Sequence, residues 1–232
     1  SVDGDVTTNN GNRDFWVVKI DAFGALTWQK SFGYAGADEG MSIIETSDNH
    51  FILSGVLDVT ASGGEGNFGR LSTRHAGGDY WSIKITQTGD VVWSRFYGGS
   101  FTDNPAGVLE TASNNLIIVG GSDSNDVDIT NNKGSYDFWV VKSTANGDIV
   151  WEKSFGGSEI DEARGIISSG DGNHVIVGDT RSSEQDVSLN NGAADLWLIK
   201  ISGDGDVLWN SSIGGSNFDV GRSIDLTFDG EF

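Results

Sequence analysis

The segment Asp14–Phe32, DFWVVKIDAFGALTWQKSF, decides the fold. DFWVVKI is rich in β-branched and aromatic residues and alternates with the period of a strand. Gly24 then centres a turn, and ALTWQKSF reads as the returning strand. The same pattern returns three times. Trp16, Trp81, Trp139 and Trp197 lie 65, 58 and 58 residues apart, and a second Trp follows each by 12, at Trp28, Trp93, Trp151 and Trp209. A Lys stands three residues after the first Trp (Lys19, Lys84, Lys142, Lys200) and a Gly eight after it (Gly24, Gly89, Gly147, Gly205). An Asp follows the second Trp by ten, at Asp38, Asp103, Asp161 and Asp219.

Each copy continues outward from that hairpin. A glycine-rich loop leads to MSIIET (Met41–Thr46), a turn at Asp48 and Asn49, and FILSGV (Phe51–Val56). The third copy keeps the order: DFWVVK, DIVWEKSF, GIISS, a turn at Asp171-Gly172-Asn173, and HVIVG. Asp, Asn and Gly tolerate the positive φ that tight hairpin turns need. No stretch of ten or more residues shows helical periodicity. Four short antiparallel strands in a repeat of about 58 residues predict an all-β chain of β-propeller blades, with repeats at approximately 1–56, 57–120, 121–178 and 179–232. A single such sheet cannot bury both faces, so the blades are expected to stack. A flat solenoid of β units is the alternative. Residues 1–232 form one domain or a fragment of one, either a nearly closed four-bladed ring or part of a larger propeller. The strand matching FILSGV is only beginning at Glu231-Phe232, and such raw sheet edges make self-association an expectation.

The run FGGSEIDEARGIISSGDGNHVIVGDT (Phe155–Thr180), with GAADLWLIKISGDGDVLW (Gly192–Trp209), resembles the bacterial SBBP-type β-propeller repeat. That family shows a Gly-Gly/Ser…Asp-x-Ala segment, an Asp-Gly-Asn turn, a Val-x-Gly-x-Thr strand and an Asp-x-Phe/Trp-Val-x-Lys strand. The resemblance covers essentially the whole chain. It is similar, more weakly, to repeats of secreted Bacteroidetes-type proteins that carry a C-terminal sorting domain. It implies export and an extracellular or cell-surface location. The Gly-x-x-x-Trp element is also similar to the tryptophan-docking motif of quinoprotein propellers, where it locks blades together; no quinone site accompanies it.

Composition bounds the function. The chain has 232 residues with 34 Gly, 1 Pro and no Cys, and a formal charge of −20 from 34 acidic and 14 basic residues. Such a field repels phosphate backbones and anionic membranes, so no nucleic acid is expected as partner, and cations are attracted. Without Cys there is no disulfide framework and no thiolate zinc site. No apolar run is long enough to span a membrane, so no membrane insertion is expected. Opening at Ser1, the chain is expected to be a mature form or a fragment.

A residue present in every copy is expected to be architectural, because an active site is asymmetric. The recurrent Lys is expected to pair with Asp38 and its equivalents. The loops before the first Trp in three copies share D-[VI]-[TS]-x-N-x-G-x-x-D: Asp5, Asn9 and Asp14; Asp128, Asn132 and Asp137; Asp186, Asn190 and Asp195. Carboxylates and amide carbonyls in one loop suit a hard cation, and calcium is the candidate ion. The alternative is a set of Asx turns capping their own backbone. In the second copy the loop Asp58–Asp79 is seven residues longer and carries Arg70, Arg74 and His75, a candidate binding loop on a rigid scaffold. Catalysis finds little support: His50 and His174 sit at equivalent hairpins, and no nucleophile elbow, zinc spacing or phosphate loop is present. The expected function is a non-catalytic adhesion or binding module for a glycan or protein ligand, braced by calcium. A carbohydrate-active hydrolase and a structural spacer in a larger repeat protein are the alternatives.

Overall fold

The computed structural model describes residues 2–67 and 75–232. The chain is all-β. A two-stranded sheet, β1 (Phe15–Ile20) with β2 (Leu26–Phe32), is followed by three four-stranded antiparallel sheets. The first contains β3 (Glu39–Glu45), β4 (Phe51–Asp58), β5 (Gly78–Ile85) and β6 (Val91–Tyr97). The second contains β7 (Asp103–Glu110), β8 (Leu116–Ser122), β9 (Asp137–Ser143) and β10 (Ile149–Phe155). The third contains β11 (Asp161–Ser168), β12 (His174–Thr180), β13 (Asp195–Ile201) and β14 (Val207–Ile213). A single helical turn, α1 (Val59–Ser62), sits in the long loop of the second copy; Asp58 caps it by accepting from Ala61 N–H at 2.9 Å.

The strands fall where the sequence pattern puts them, but the sheets straddle the copies. Each four-stranded sheet joins the last two strands of one copy to the first two of the next. The glycine-rich loop after β2, β6 and β10 therefore crosses from one sheet to the next. As a result the first copy opens on half a sheet. Residues 219–232 form no strand, and among the described residues none joins β14 to β1, so the four copies do not close a ring.

Successive sheets stack. β7 packs on β3, β4 and β5, and β11 on β7, β8 and β9. Three apolar cores result, one between each neighbouring pair of sheets: Phe15, Leu53 and Trp81; Tyr80, Ile118 and Trp139; Phe138, Ile176 and Trp197. An aromatic pair marks each junction. Phe15 meets Trp81 at 4.9 Å between centroids, Tyr80 meets Trp139 at 4.6 Å, and Phe138 meets Trp197 at 4.7 Å. The second tryptophan also reaches forward. Trp28 and Trp93 donate from Nε1 to the backbone oxygens of Gln87 and Ala145 in the next copy, at 3.0 and 2.9 Å. Trp93 and Trp151 lie over the turns at Gly147 and Gly205, whose φ of 79° and 80° suits glycine.

Every complete sheet also places a glycine opposite its first tryptophan: Gly55 faces Trp81, Gly120 faces Trp139, and Gly178 faces Trp197. A Cβ on Gly178 would run into the Glu162 carbonyl oxygen and come within 2.6 Å of Phe138 Cζ. The position is thus closed to a side chain by packing rather than by backbone conformation. Gly178→Ala is expected to cost roughly 1–3 kcal/mol through overpacking, a fall in Tm of about 2–12 °C for a chain of this size. Gly203→Ala, whose Cβ would meet only the Gly172 oxygen at 3.5 Å, should move Tm by no more than about 1 °C; equal shifts in thermal melts would refute the packing argument.

Candidate functional site

Two aspartates from separate strands converge at the start of each copy. One stands two residues before the first Trp (Asp14, Asp79, Asp137, Asp195). The other opens the strand after the glycine-rich loop (Asp38, Asp103, Asp161), with Asp219 as its equivalent. Both carboxylates crowd the Cα of the glycine between them. A methyl on Gly156 would lie 2.5 Å from Asp137 Oδ1 and 2.6 Å from Asp161 Oδ2; on Gly98 it would lie 2.8 Å from Asp79 Oδ1 and 2.5 Å from Asp103 Oδ2. Only glycine leaves room for the pair.

Each pair is fastened in the same way. The second Asp accepts a backbone N–H from four residues earlier, from Tyr34 to Asp38 (2.8 Å) and from Gly99, Gly157 and Gly215 to Asp103, Asp161 and Asp219 (2.7 Å each). The first Asp does likewise in three copies, from Asn10 (2.7 Å), Lys133 (2.8 Å) and Asn191 (2.9 Å); in the second copy His75 Nδ1 lies 2.6 Å from Asp79 Oδ2. The other oxygen of the first Asp, Oδ1 of Asp14, Asp79, Asp137 and Asp195, has no hydrogen-bond partner although it is buried. Asp161 is by contrast saturated: Thr180 Oγ1 and Ser182 Oγ donate to it, besides three backbone N–H groups.

Burial and mutual repulsion set the charge state. Burial pushes Asp103 up to about 7, against hydrogen bonds from Ser122, Gly99 and Ser124 and with the charge of Asp79. Asp137 is likewise pushed up to about 7 by burial, tempered by the Lys133 N–H and ammonium and reinforced by Asp161 and Asp186. Burial takes Asp79 up to about 6, less the pull of His75. Burial opposes the charged form of His75, but Asp79, Asp128 and Asp103 outweigh it and raise its pKa. A proton or a cation can relieve such a pair, and the copies differ in what they offer. His75, only 5% exposed in its side chain, sits between Asp79 and Asp128, with Nε2 3.7 Å from Asp128 Oδ2. Lys133 Nζ lies 2.9 Å from Asp186 Oδ2 and donates to the Ser154 oxygen at 2.7 Å. The first and fourth copies place Asn10 and Asn191 there instead, and each donates a side-chain N–H to the glycine oxygen beside its pair, Gly33 and Gly214.

The loop triplets are distributed differently from the expected cation cage. Asn9 Nδ2 donates to the Gly11 oxygen at 2.6 Å. Asn132 and Asn190 accept from Gly134 and Gly192 N–H two residues on, at 3.1 and 2.9 Å, and their amides hold the Ser124 and Thr180 oxygens. Those are Asx turns. Asp5 is exposed, and Asp128 and Asp186 reach back to the Gly98 and Gly156 N–H groups of the preceding loop. Only Asp14, Asp137 and Asp195 enter the carboxylate pairs, and among the described residues no group of three or more His, Cys, Asp or Glu is set to hold a metal. Of the long-loop residues, Arg70 and Arg74 lie outside the described residues.

The recurrent lysines do not meet the recurrent aspartates. Lys84 pairs with Asp48 at 2.6 Å and Lys200 with Asp171 at 2.7 Å, while Lys19 and Lys142 donate to Gln87 Oε1 and the Gly203 oxygen. Each Lys lies at the far end of its strand, five residues or about 16 Å from the aspartate that opens it. Recurrence alone marked both residues as structural; the partner of Asp38 and its equivalents was the other recurrent Asp, two residues before the Trp.

No family model matches the chain. It is 24% identical over 195 residues to the Regulatory protein FlaEY of Caulobacter vibrioides, a match covering 79% of this chain and 20% of that protein. The chain thus spans about a fifth of the length of this relative.

A carboxyl group raised in the folded state binds its proton more tightly there than when unfolded. Its contribution to stability is full below the ordinary range near 3.8 and is lost as pH rises through about 7. Tm is therefore expected to rise on acidification from pH 8 to 5.5, where Asp48, held at about 2 by Lys84, stays ionised. The double variant Asp103→Asn, Asp137→Asn should flatten that rise; an unchanged slope in melts of both proteins would show that the pairs are not the groups responsible.

Proposed function

We propose that the chain is a segment of a secreted or cell-surface β-propeller that acts as a non-catalytic binding or adhesion module for a glycan or protein ligand. One observation carries this reading. The recurring tryptophans of the middle copies make contacts between copies, and the first Trp of the first copy is open to solvent. Trp81, Trp139 and Trp197 are at most 2% exposed, whereas Trp16 is 49% exposed. It lines a cleft of about 790 Å³ with Val18, Met41 and Ile43, rimmed by Arg13 and Glu39, which form an ion pair. An apolar floor with a charged rim is the composition of a recognition surface. The resemblance to the SBBP-type repeat supports export. Among the described residues no helix is long and apolar enough to cross a membrane.

A ligand screen with glycans and with cell-surface proteins tests the reading. A binder is expected, and Trp16→Ala should weaken it about tenfold, as loss of a central aromatic anchor does. An empty screen would favour the spacer reading, which gains support from the match to one fifth of a longer relative.

Calcium bracing belongs to the same proposal, with the carboxylate pairs as its ligands. Among the described residues no ion pair reaches Asp14 with Asp38 or Asp195 with Asp219, whereas His75 and Lys133 bring a cation near the middle pairs. One ion at a hundredfold its Kd would add about 2.7 kcal/mol. At pH 8 the expected result is a Tm several degrees higher in calcium than in chelator, reduced by Asp195→Asn and abolished when Asp14→Asn is added; identical melts would leave the pairs to protons alone.

A further inference from the structure

The two junctions between complete sheets match in sequence position but not in chemistry. The second sheet meets the third through Val119, Phe138, Val140 and Phe155, which share one apolar core with Ala163, Ile176 and Trp197. The first sheet meets the second through the equivalent positions, counted from its first Trp and the glycine facing it: Ser54, Tyr80, Ser82 and Tyr97. Four apolar side chains in one junction are thus four hydroxyl-bearing side chains in the other. Tyr80 and Tyr97 share a core with Ile52, Ile118 and Trp139. Ser54 and Ser82 lie on the same face, two residues along from Ile52 in β4 and from Tyr80 in β5. The third sheet carries Val177 and Leu198 at this cross-strand pair, so among the complete sheets serine is confined to the first.

The two tyrosines have acceptors in the neighbouring sheet. Tyr80 Oη donates to the Trp139 carbonyl oxygen at 3.1 Å, and Tyr97 Oη to that of Gly147 at 2.9 Å. The serines have none. Ser54 and Ser82 oppose each other in the register of β4 and β5, and both are wholly buried. Among the described residues neither Oγ has a hydrogen-bond partner. Turning one hydroxyl onto the other would satisfy one donor and leave the second without an acceptor. A hydroxyl buried in that state has lost its water and gained no bond, so these serines oppose closure of the junction where Val119 and Val140 favour it. The tyrosine bonds offset little of this, because water takes over both donors and acceptors once the sheets part.

In a stack of repeats each unit touches only its neighbours, so a weakness at one junction is not spread over the others. We propose that the junction between the first and second four-stranded sheets is a hinge. It opens reversibly and admits water to Ser54 and Ser82, while the junction between the second and third sheets stays shut. The crossover at residues 98–102, which joins β6 to β7, is the connection about which the two parts swing. Opening bares Ile52 and Tyr80 on one side and Ile118 and Trp139 on the other. The inference holds whatever the chain binds, because it rests on the packing of its own sheets.

The chain has no cysteine, so a single introduced thiol reports its own exposure. Ser54→Cys and Val119→Cys place it at the matched, buried position of the two junctions. Labelling of the folded chain with iodoacetamide then measures how often each junction opens. Ser54→Cys is expected to react at least about tenfold faster than Val119→Cys. Its rate should also climb less steeply with urea, because a hinge exposes less surface than unfolding does. Both substitutions work against the expected difference: Val119→Cys thins the dry junction, and Ser54→Cys removes one of the two stranded hydroxyls. Adding Ser82→Ala to Ser54→Cys should slow labelling about tenfold, and adding Val140→Ser to Val119→Cys should speed it by a similar factor. Equal rates at positions 54 and 119, or equal urea slopes, would overturn the proposal. So would a rate in Ser54→Cys that Ser82→Ala leaves unchanged. Should Val119→Cys fail to fold, Val140→Cys serves as the dry-junction reporter at the same cross-strand pair.

Discussion

The contact between an aromatic ring just after one strand-opening aspartate and the tryptophan of the next copy sets the geometry of the whole molecule. Phe15 on Trp81, Tyr80 on Trp139 and Phe138 on Trp197 hold consecutive sheets at the same spacing. The rings can meet only because the strand alongside carries glycine at the crossing point. Gly55, Gly120 and Gly178 remove the side chain that would otherwise stand between ring and backbone. Each junction is thus a three-part unit of ring, indole and absent Cβ. The forward-reaching second tryptophan adds a further contact at the opposite end of the strands.

Against this apolar stacking, the carboxylate pairs are costly. Burying two aspartates side by side with an unpartnered oxygen opposes folding unless a proton or a cation joins them. They sit where the chain leaves one sheet and starts the next, and their accepted N–H bonds fix both loop ends at once: Lys133 and Gly157 N–H reach the two members of one pair. The pair therefore acts as a clasp on the crossover, and its charge state is a variable that the apolar contacts lack. The copies handle that variable differently, with His75 in one, Lys133 in another and asparagine in the outer two. A fourfold repeat in sequence is in this respect not a fourfold repeat in electrostatics.

Strand positions were legible because a period of two and a turn glycine are local signals: DFWVVKI became β1, and HVIVG became the body of β12. The grouping of strands into sheets was less so. A copy counted from its first Trp contains four strands, but nothing local says whether the glycine-rich loop after β2 turns back or crosses over. The structure shows that it crosses, which leaves β1 and β2 as a sheet of two strands. The Lys–Asp pairing failed for a related reason. Recurrence shows that two residues serve the repeat, yet both kinds of charge recur once per copy, and only the strand's length separates them. The paired aspartates could have been found from the same table of recurrences, had the residue two before each Trp been set beside the one ten after the second.

The ring-on-indole contacts and the forward reach of the second tryptophan run in one direction along the chain, from each copy to the one after it. The stack is consequently polar, with one end that only receives and another that only gives. An array of this kind can gain or lose a unit at either end without any change in the units already present, because no residue needs to know how many neighbours lie beyond the next. Copy number is then a property that duplication of the coding segment can alter in a single step. The glycine facing the tryptophan is the one feature that every added unit has to bring with it.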